Sequence, residues 1–173
     1  MSFLVGRDGN ISVLRVGAVF GILGLAIIVG GYLLFQLELR TFQSPLNIRV
    51  YPNAQQVGQQ QIGDSQTITY MVPGVSAEEV MAYYDELLAD HNGDSVNTNN
   101  RERCNRYPLQ GQFDDYAEGA GTVPYYFLCN FNESGWGGAN RATIINIQPG
   151  VRNDALQQDT TGNTMILYEQ FWD

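Results

Sequence analysis

The stretch that decides the architecture runs from Val16 to Phe35, reads VGAVFGILGLAIIVGGYLLF, and contains neither a charged residue nor a proline. As an α-helix it rises about 1.5 Å per residue and extends over about 30 Å, the thickness of the hydrocarbon core of a bilayer. A helix also satisfies its backbone hydrogen bonds internally, which a segment inside lipid requires. The sequence therefore predicts a single N-terminal transmembrane helix at residues 16–35, preceded by a short tail at residues 1–15.

A cleaved signal peptide is the alternative interpretation of this stretch, because signal peptides also begin with a charged region followed by apolar residues. The apolar run is longer than the roughly 7–15 residues of a signal peptide, and no convincing small-residue cleavage site follows it. No cysteine near the N-terminus offers a site for acylation. We therefore interpret the stretch as an uncleaved anchor in the lipid bilayer.

Four glycines of the predicted span fall at helical spacing. Gly17, Gly21, Gly24 and Gly31 lie on one face of the helix, and Gly17 and Gly21 form the small-xxx-small pattern that lets two membrane helices approach closely. This pattern predicts a helix-packing face for other integral membrane subunits. The alternative is that glycine is simply common in membrane helices.

The composition excludes some functions. The formal net charge is −9, with 18 acidic residues against 9 basic ones, so no nucleic-acid partner is expected. One histidine and two cysteines, without a cysteine cluster, do not provide ligands for covalent haem or an iron–sulfur cluster. No catalytic triad can be assembled, and an acidic group at Asp114, Asp115 and Glu118 supports only a third-ranked hydrolase hypothesis. We expect no enzyme, no cofactor and no metal site.

Beyond the span, a juxtamembrane linker at residues 36–46 and one domain at residues 47–173 are predicted. The clearest element is a helix from Ser76 to His91, in which Ser76 caps the N-terminus and apolar residues recur at helical spacing from Val80 to Leu88. Five short stretches are predicted as strands: Ile48–Tyr51, Gln66–Val72, Val123–Phe131, Arg141–Gln148 and Asn163–Trp172. The fold class is therefore α+β, with an antiparallel sheet packed by one amphipathic helix and a long polar loop at residues 94–121.

Cys104 and Cys129 are the two cysteines of the chain, and both belong to the predicted domain. Such a pair indicates a disulfide in an oxidising compartment, which would place the domain outside the cytoplasm. Two buried free thiols in a cytosolic domain remain the alternative. Arginine counts on the two sides of the span are similar and do not decide its orientation.

Two short motifs carry a resemblance to a known family. Tyr51-Pro-Asn-Ala-Gln and Ser76-Ala-Glu-Glu-Val-Met-Ala-Tyr-Tyr-Asp-Glu-Leu-Leu resemble small extracytoplasmic α+β domains of bacterial lipoproteins and anchored proteins. This resemblance implies a single-pass protein of the bacterial inner membrane, with a cytoplasmic N-terminus and a periplasmic C-terminal domain. A looser resemblance, in architecture alone, is to single-span accessory subunits of bacterial electron-transfer complexes such as alternative complex III. It implies a non-catalytic accessory role in a respiratory or photosynthetic complex.

A binding module is the alternative function. Trp136 lies in the glycine-rich loop between two predicted strands, where an aromatic side chain suits contact with a partner. With Tyr107, Tyr116, Tyr125 and Tyr126 it would line a groove for a sugar or a peptide. Packing of Trp136 back onto the sheet remains the other interpretation of this residue.

Overall fold

The computed structural model describes residues 13–93, 103–135 and 138–172, and the side chains from residue 17 onward. The chain divides into two compact units, Met1–Thr41 and Phe42–Asp173. Helix α1, Val13–Phe42, begins before the predicted span and ends about two turns after it, and all but its last residue belongs to the first unit. Many of its large apolar side chains between residues 19 and 37 are exposed, whereas Phe42, its last residue, is buried. The helix is long and apolar enough to cross a membrane, and it is compatible with an anchor or a signal sequence.

The second unit is an α+β domain built on an antiparallel sheet, and this confirms the predicted α+β class and the antiparallel arrangement of the strands. Its elements are β1 (Gln55–Ile62), β2 (Ser65–Pro73), α2 (Ala77–His91), β3 (Asn105–Tyr107), β4 (Tyr126–Ser134), β5 (Asn140–Pro149), β6 (Arg152–Asn153), β7 (Gln158–Asp159) and β8 (Asn163–Trp172). Six strands form the sheet in the order β1-β2-β8-β5-β4-β3, and β6 pairs with β7 in a small ribbon.

One face of the sheet forms the core together with α2. Side chains alternate along each strand, so that every second residue of β2, β4, β5 and β8 points to the same side. Ile145, Ile147 and Ile166 are completely buried there, and Val80, Tyr84 and Leu88 of α2 pack onto this face. The apolar stripe predicted for this helix is therefore the stripe that faces the core.

The segment at residues 46–51 covers part of the same face without joining the sheet, and the predicted strand Ile48–Tyr51 is wrong. Leu46 and Ile48 belong to the core cluster. The Leu46 carbonyl accepts hydrogen bonds from Thr143 Oγ1 at 2.7 Å and from Gln170 Nε2 at 2.8 Å. Side chains of the sheet therefore donate the hydrogen bonds that a neighbouring strand would otherwise donate to this backbone.

Strand β1 occupies a stretch that the sequence did not identify as a strand. Its residues are mostly glutamine and mostly exposed, because β1 lies at the edge of the sheet and has one neighbour, β2. Backbone hydrogen bonds to β2 order this strand, and they require no apolar side chain. A bulge between Gln56 and Gly58 shifts the pairing of the two strands by one residue. The short strand β3 likewise lies inside the predicted loop, of which residues 94–102 are outside the described part.

Candidate functional site

The glycine face of α1 is the most clearly defined candidate surface. Gly17, Gly21, Gly24 and Gly31 all belong to the described part of the helix, and an added Cβ at each of them would meet no atom within 4 Å. Ile28, at the same helical phase, is 70% exposed. An added Cβ at Gly30, on another side of the helix, also meets no atom within 4 Å, so the shared helical phase of the four glycines defines this face. A face built from glycines permits a second helix backbone to approach closely.

The two cysteines form a disulfide, so the alternative of two free thiols does not apply. Cys104 lies opposite Cys129 across the pair of strands β3 and β4, with 4.3 Å between their Cα atoms. The backbone N–H of Cys104 donates to Asp85 Oδ1 of α2 at 3.0 Å. The disulfide therefore links Cys104 to β4, and the backbone hydrogen bond links Cys104 to α2.

The tyrosines proposed for a binding groove do not line one surface. The rings of Tyr107 and Tyr126 lie 5.5 Å apart, and Phe113, which the sequence did not single out, stacks on Tyr126 at 5.7 Å. Tyr125 instead donates its hydroxyl to Glu78 Oε1 of α2 at 2.6 Å. Tyr116 lines a separate cleft of about 280 Å³ between the loops around residues 116–124 and 150–161.

Arg106 holds the loop that carries part of this aromatic group. Its guanidinium carbon lies 4.4 Å from the centre of the Tyr125 ring, and its Nη2 donates to the Gly111 carbonyl at 2.7 Å. Burial, together with the hydrogen bond to Glu78, raises the pKa of Tyr125 to about 12. Tyr125 therefore stays protonated at physiological pH and acts here as a hydrogen-bond donor.

The acidic loop does not form a metal centre in the described part of the chain. Asp114, Asp115 and Glu118 are exposed. Among residues 13–93, 103–135 and 138–172, no three His, Cys, Asp or Glu side chains lie close enough to hold a metal ion. Trp136, the predicted partner contact, lies outside the described residues.

A group of tyrosines in the core could be mistaken for a reactive site. The hydroxyls of Tyr84 and Tyr168 are 2.8 Å apart, and Tyr84 Oη accepts the backbone N–H of Tyr51 at 2.9 Å. Burial raises the pKa of Tyr84 to about 12 and also raises the pKa of Tyr168. Both hydroxyls are hydrogen-bonded and withdrawn from solvent, so this group stabilises the fold and offers no access to a substrate.

His91 ends α2 and contacts the sheet. Its Nε2 lies 3.2 Å from the Asn132 carbonyl, and its ring packs edge-on against Phe131 with 5.7 Å between the ring centres. These contacts give the histidine a structural role at the end of the helix.

Comparison of the chain with protein-family models, with characterised proteins and with solved structures finds no match. The arguments about function therefore rest on the residues and their geometry.

Proposed function

We propose that this protein is a non-catalytic, single-span accessory subunit of a multiprotein membrane complex. In this proposal α1 crosses the membrane and its glycine face docks onto helices of neighbouring integral membrane subunits. The observation that carries the proposal is the placement of Gly17, Gly21, Gly24 and Gly31 at one helical phase of α1, which leaves a strip of that face without side chains. Inside lipid the hydrophobic effect does not drive helices together, so close backbone packing is a main source of their association.

The proposed location is the bacterial inner membrane, with the N-terminus in the cytoplasm and the α+β domain on the periplasmic side. The Cys104–Cys129 disulfide supports this side of the membrane, because disulfides persist in oxidising compartments. The resemblance to accessory subunits of electron-transfer complexes such as alternative complex III suggests which kind of complex to test first. In such a complex the chain would contribute packing and no redox group.

The test is to replace glycines on the packing face of the full-length chain in its native membrane. The triple variant Gly17→Leu, Gly21→Leu and Gly24→Leu fills the open face, so we expect co-purifying subunits to fall at least about fivefold in mild detergent. Retention of the chain in the membrane after an alkaline carbonate wash should not change. The matched control, Val19→Leu, Ile22→Leu and Val29→Leu, changes three apolar residues on other faces and should keep its partners.

Two results contradict the proposal. Migration of the wild-type chain alone on a native gel, after extraction in mild detergent, contradicts its membership of a complex. Equal recovery of partners with the glycine variant and with the control removes the glycine face as the interface.

A membrane-anchored binding module for a sugar or a peptide is the second candidate. The stack of Tyr107, Tyr126 and Phe113 favours it, because aromatic surfaces are used to bind both classes of ligand. It ranks second because Tyr116 and Tyr125 lie apart from this stack.

A further inference from the structure

The six-stranded sheet has two ends along its strand direction, and one of them lies next to Phe42, where the domain begins. We call this the Phe42 end: the guanidinium carbon of Arg141, at the start of β5, lies 5.2 Å from the centre of the Phe42 ring. Arg141 pairs with Trp172 of β8, whose backbone N–H donates to the Asp64 carbonyl in the β1–β2 turn at 3.1 Å. The β1–β2 turn, the start of β5 and the end of β8 therefore meet there. The opposite end, where β5 finishes, is the Pro149 end.

Large apolar side chains are presented to solvent at the Phe42 end. Ile62 is 69% exposed immediately before the turn at Gly63, and Phe171 is 44% exposed beside the half-buried Trp172. Phe171 and Trp172 also line an open cleft of about 380 Å³ that contains the Arg141–Glu133 ion pair. Aromatic side chains with a polar edge are enriched where apolar and aqueous surroundings meet at a membrane surface.

Exposed apolar side chains occur at both ends, since Leu109 and Leu156 are exposed at the Pro149 end, and the two ends differ in their charge. The loops of the Pro149 end carry Asp114, Asp115, Glu118, Asp154 and Asp159, and α2 begins there with Glu78 and Glu79. Two described cations, Arg106 and Arg152, lie at this end, and Arg152 pairs with Asp154. Among the described residues the Phe42 end contributes Asp64 and Glu133, with Asp90 at the adjoining end of α2, and Glu133 pairs with Arg141 at 2.7 Å. The Pro149 end still carries the larger excess of acidic residues, so anionic lipid headgroups would repel it more strongly than the Phe42 end.

The length of the chain ties the Phe42 end to the end of the apolar stretch. Seven residues lead from Phe35 to Phe42. Fully extended they would reach at most about 25 Å, and as a helix about 10 Å. Whatever the arrangement of the two units, an anchored chain keeps the Phe42 end close to the membrane surface.

We propose that the Phe42 end of the domain rests on the headgroup layer of the membrane that α1 crosses, with Ile62, Phe171 and Trp172 in the interfacial region. The partner is the lipid surface itself, and the acidic Pro149 end points away from it. This inference rests on the membrane anchoring in the proposed function and adds an orientation of the domain to it.

The test measures the contact of Trp172 with lipid in the full-length chain. Trp136→Phe leaves Trp172 as the single tryptophan, and the chain is placed at one copy per nanodisc in phosphatidylcholine. A nitroxide at position 5 of the acyl chain marks the region just below the headgroups. We expect Trp172 fluorescence to be at least twofold lower in labelled discs than in unlabelled discs.

Matched variants separate this contact from a general effect of surface apolarity. Ile62→Ser with Phe171→Ser should reduce the quenching at least twofold. Leu109→Ser with Leu156→Ser removes two exposed apolar side chains at the Pro149 end and should leave the quenching unchanged. Near-ultraviolet circular dichroism checks that every variant keeps its fold.

Each other outcome overturns the inference. Equal fluorescence in labelled and unlabelled discs means that the Phe42 end does not reach lipid. A shift of Trp172 emission only when several copies share a disc identifies a second copy as the partner. Quenching that Ile62→Ser and Phe171→Ser leave unchanged shows proximity without apolar contact. If an alkaline carbonate wash extracts the chain, the membrane anchoring in the proposed function is contradicted. If the chain stays anchored but Trp172 is not quenched, only the orientation proposed here is contradicted.

Discussion

The two helices of this protein bury their apolar side chains in opposite ways. In α2, Leu88 is 1% exposed because one stripe of the helix lies on the sheet, whereas in α1 the chemically identical Leu23 is 54% exposed. Helix α2 is amphipathic and 15 residues long, and α1 is apolar on all sides and 30 residues long. The domain thus supplies the partner of α2 from its own sheet. Helix α1 requires a partner that the chain's own first unit does not provide, which in our proposal is lipid and neighbouring helices.

The comparison predicts that a leucine-to-alanine substitution lowers the stability of the domain strongly in α2 and hardly at all in α1. Leu88→Ala in α2 should lower the free energy of unfolding of the domain by about 2–5 kcal/mol, because it removes buried methyl groups and leaves a cavity. Leu23→Ala in α1 should change it by less than about 0.5 kcal/mol. Chemical denaturation of the full-length chain in mild detergent, followed by near-ultraviolet circular dichroism, measures both.

A loss of stability of similar size for the two variants would break the comparison. It would mean that Leu23 packs on the domain and that α1 is part of its core. A small loss for both variants would show instead that the site around Leu88 relaxes and that α2 contributes less to the core than its burial indicates.

The sequence predicted those elements whose pattern is local. The stripe of α2, its cap at Ser76 and the alternation of Ile68, Tyr70 and Val72 in β2 each follow from spacing within one segment. The apolar stretch of α1 follows in the same way. The strands β4, β5 and β8 lie side by side, as expected for the predicted antiparallel meander.

Other features depend on residues far apart in the chain. The segment at residues 46–51 has the composition of a strand, yet Thr143, Gln170 and Tyr168 satisfy its carbonyl groups through their side chains. Strand β1 has the composition of a loop, yet pairing with β2 orders it. The Phe42 end of the sheet was not predicted, because Ile62, Arg141 and Trp172 meet only after the strands have paired. A signal was present in the apolar Ile62 directly before a Gly-Asp turn.

The buried hydroxyl pair under α2 offers a second test of how tightly this helix is bound. Tyr84→Phe leaves the N–H of Tyr51 and the hydroxyl of Tyr168 without this partner. We expect the variant to be less stable by about 1–3 kcal/mol, because buried polar groups that lose a hydrogen bond carry a desolvation cost. Tyr70→Phe, on a half-buried ring that packs against Tyr168, is the control and should cost less.

The same pair makes the domain sensitive to alkali. Burial raises the pKa of Tyr84 from its ordinary value of 10.0 to about 12 in the folded state. The folded state therefore holds this proton more tightly than the unfolded state does, and the associated stability is complete below pH 10 and is lost as the pH rises through about 12. In a titration of tyrosinate absorbance, Tyr84 and Tyr168 should ionise only when the domain unfolds, and Tyr84→Phe should weaken the pH dependence. Ionisation of every tyrosine near pH 10 with the fold intact would contradict this.

The smallest expected effect concerns the start of α2. Ser76 Oγ accepts the backbone N–H of Glu79 at 3.2 Å, and Glu78 and Glu79 lie in the first turn, where negative charge is favourable. Ser76→Ala should lower the free energy of unfolding by about 1 kcal/mol. Ser76→Asp should lower it much less, because aspartate also caps a helix N-terminus. If Ser76→Ala has no effect, packing on the sheet alone determines where α2 begins. In that case the cap does not contribute to the stability of α2. The two helices then differ only in how far their apolar side chains are buried.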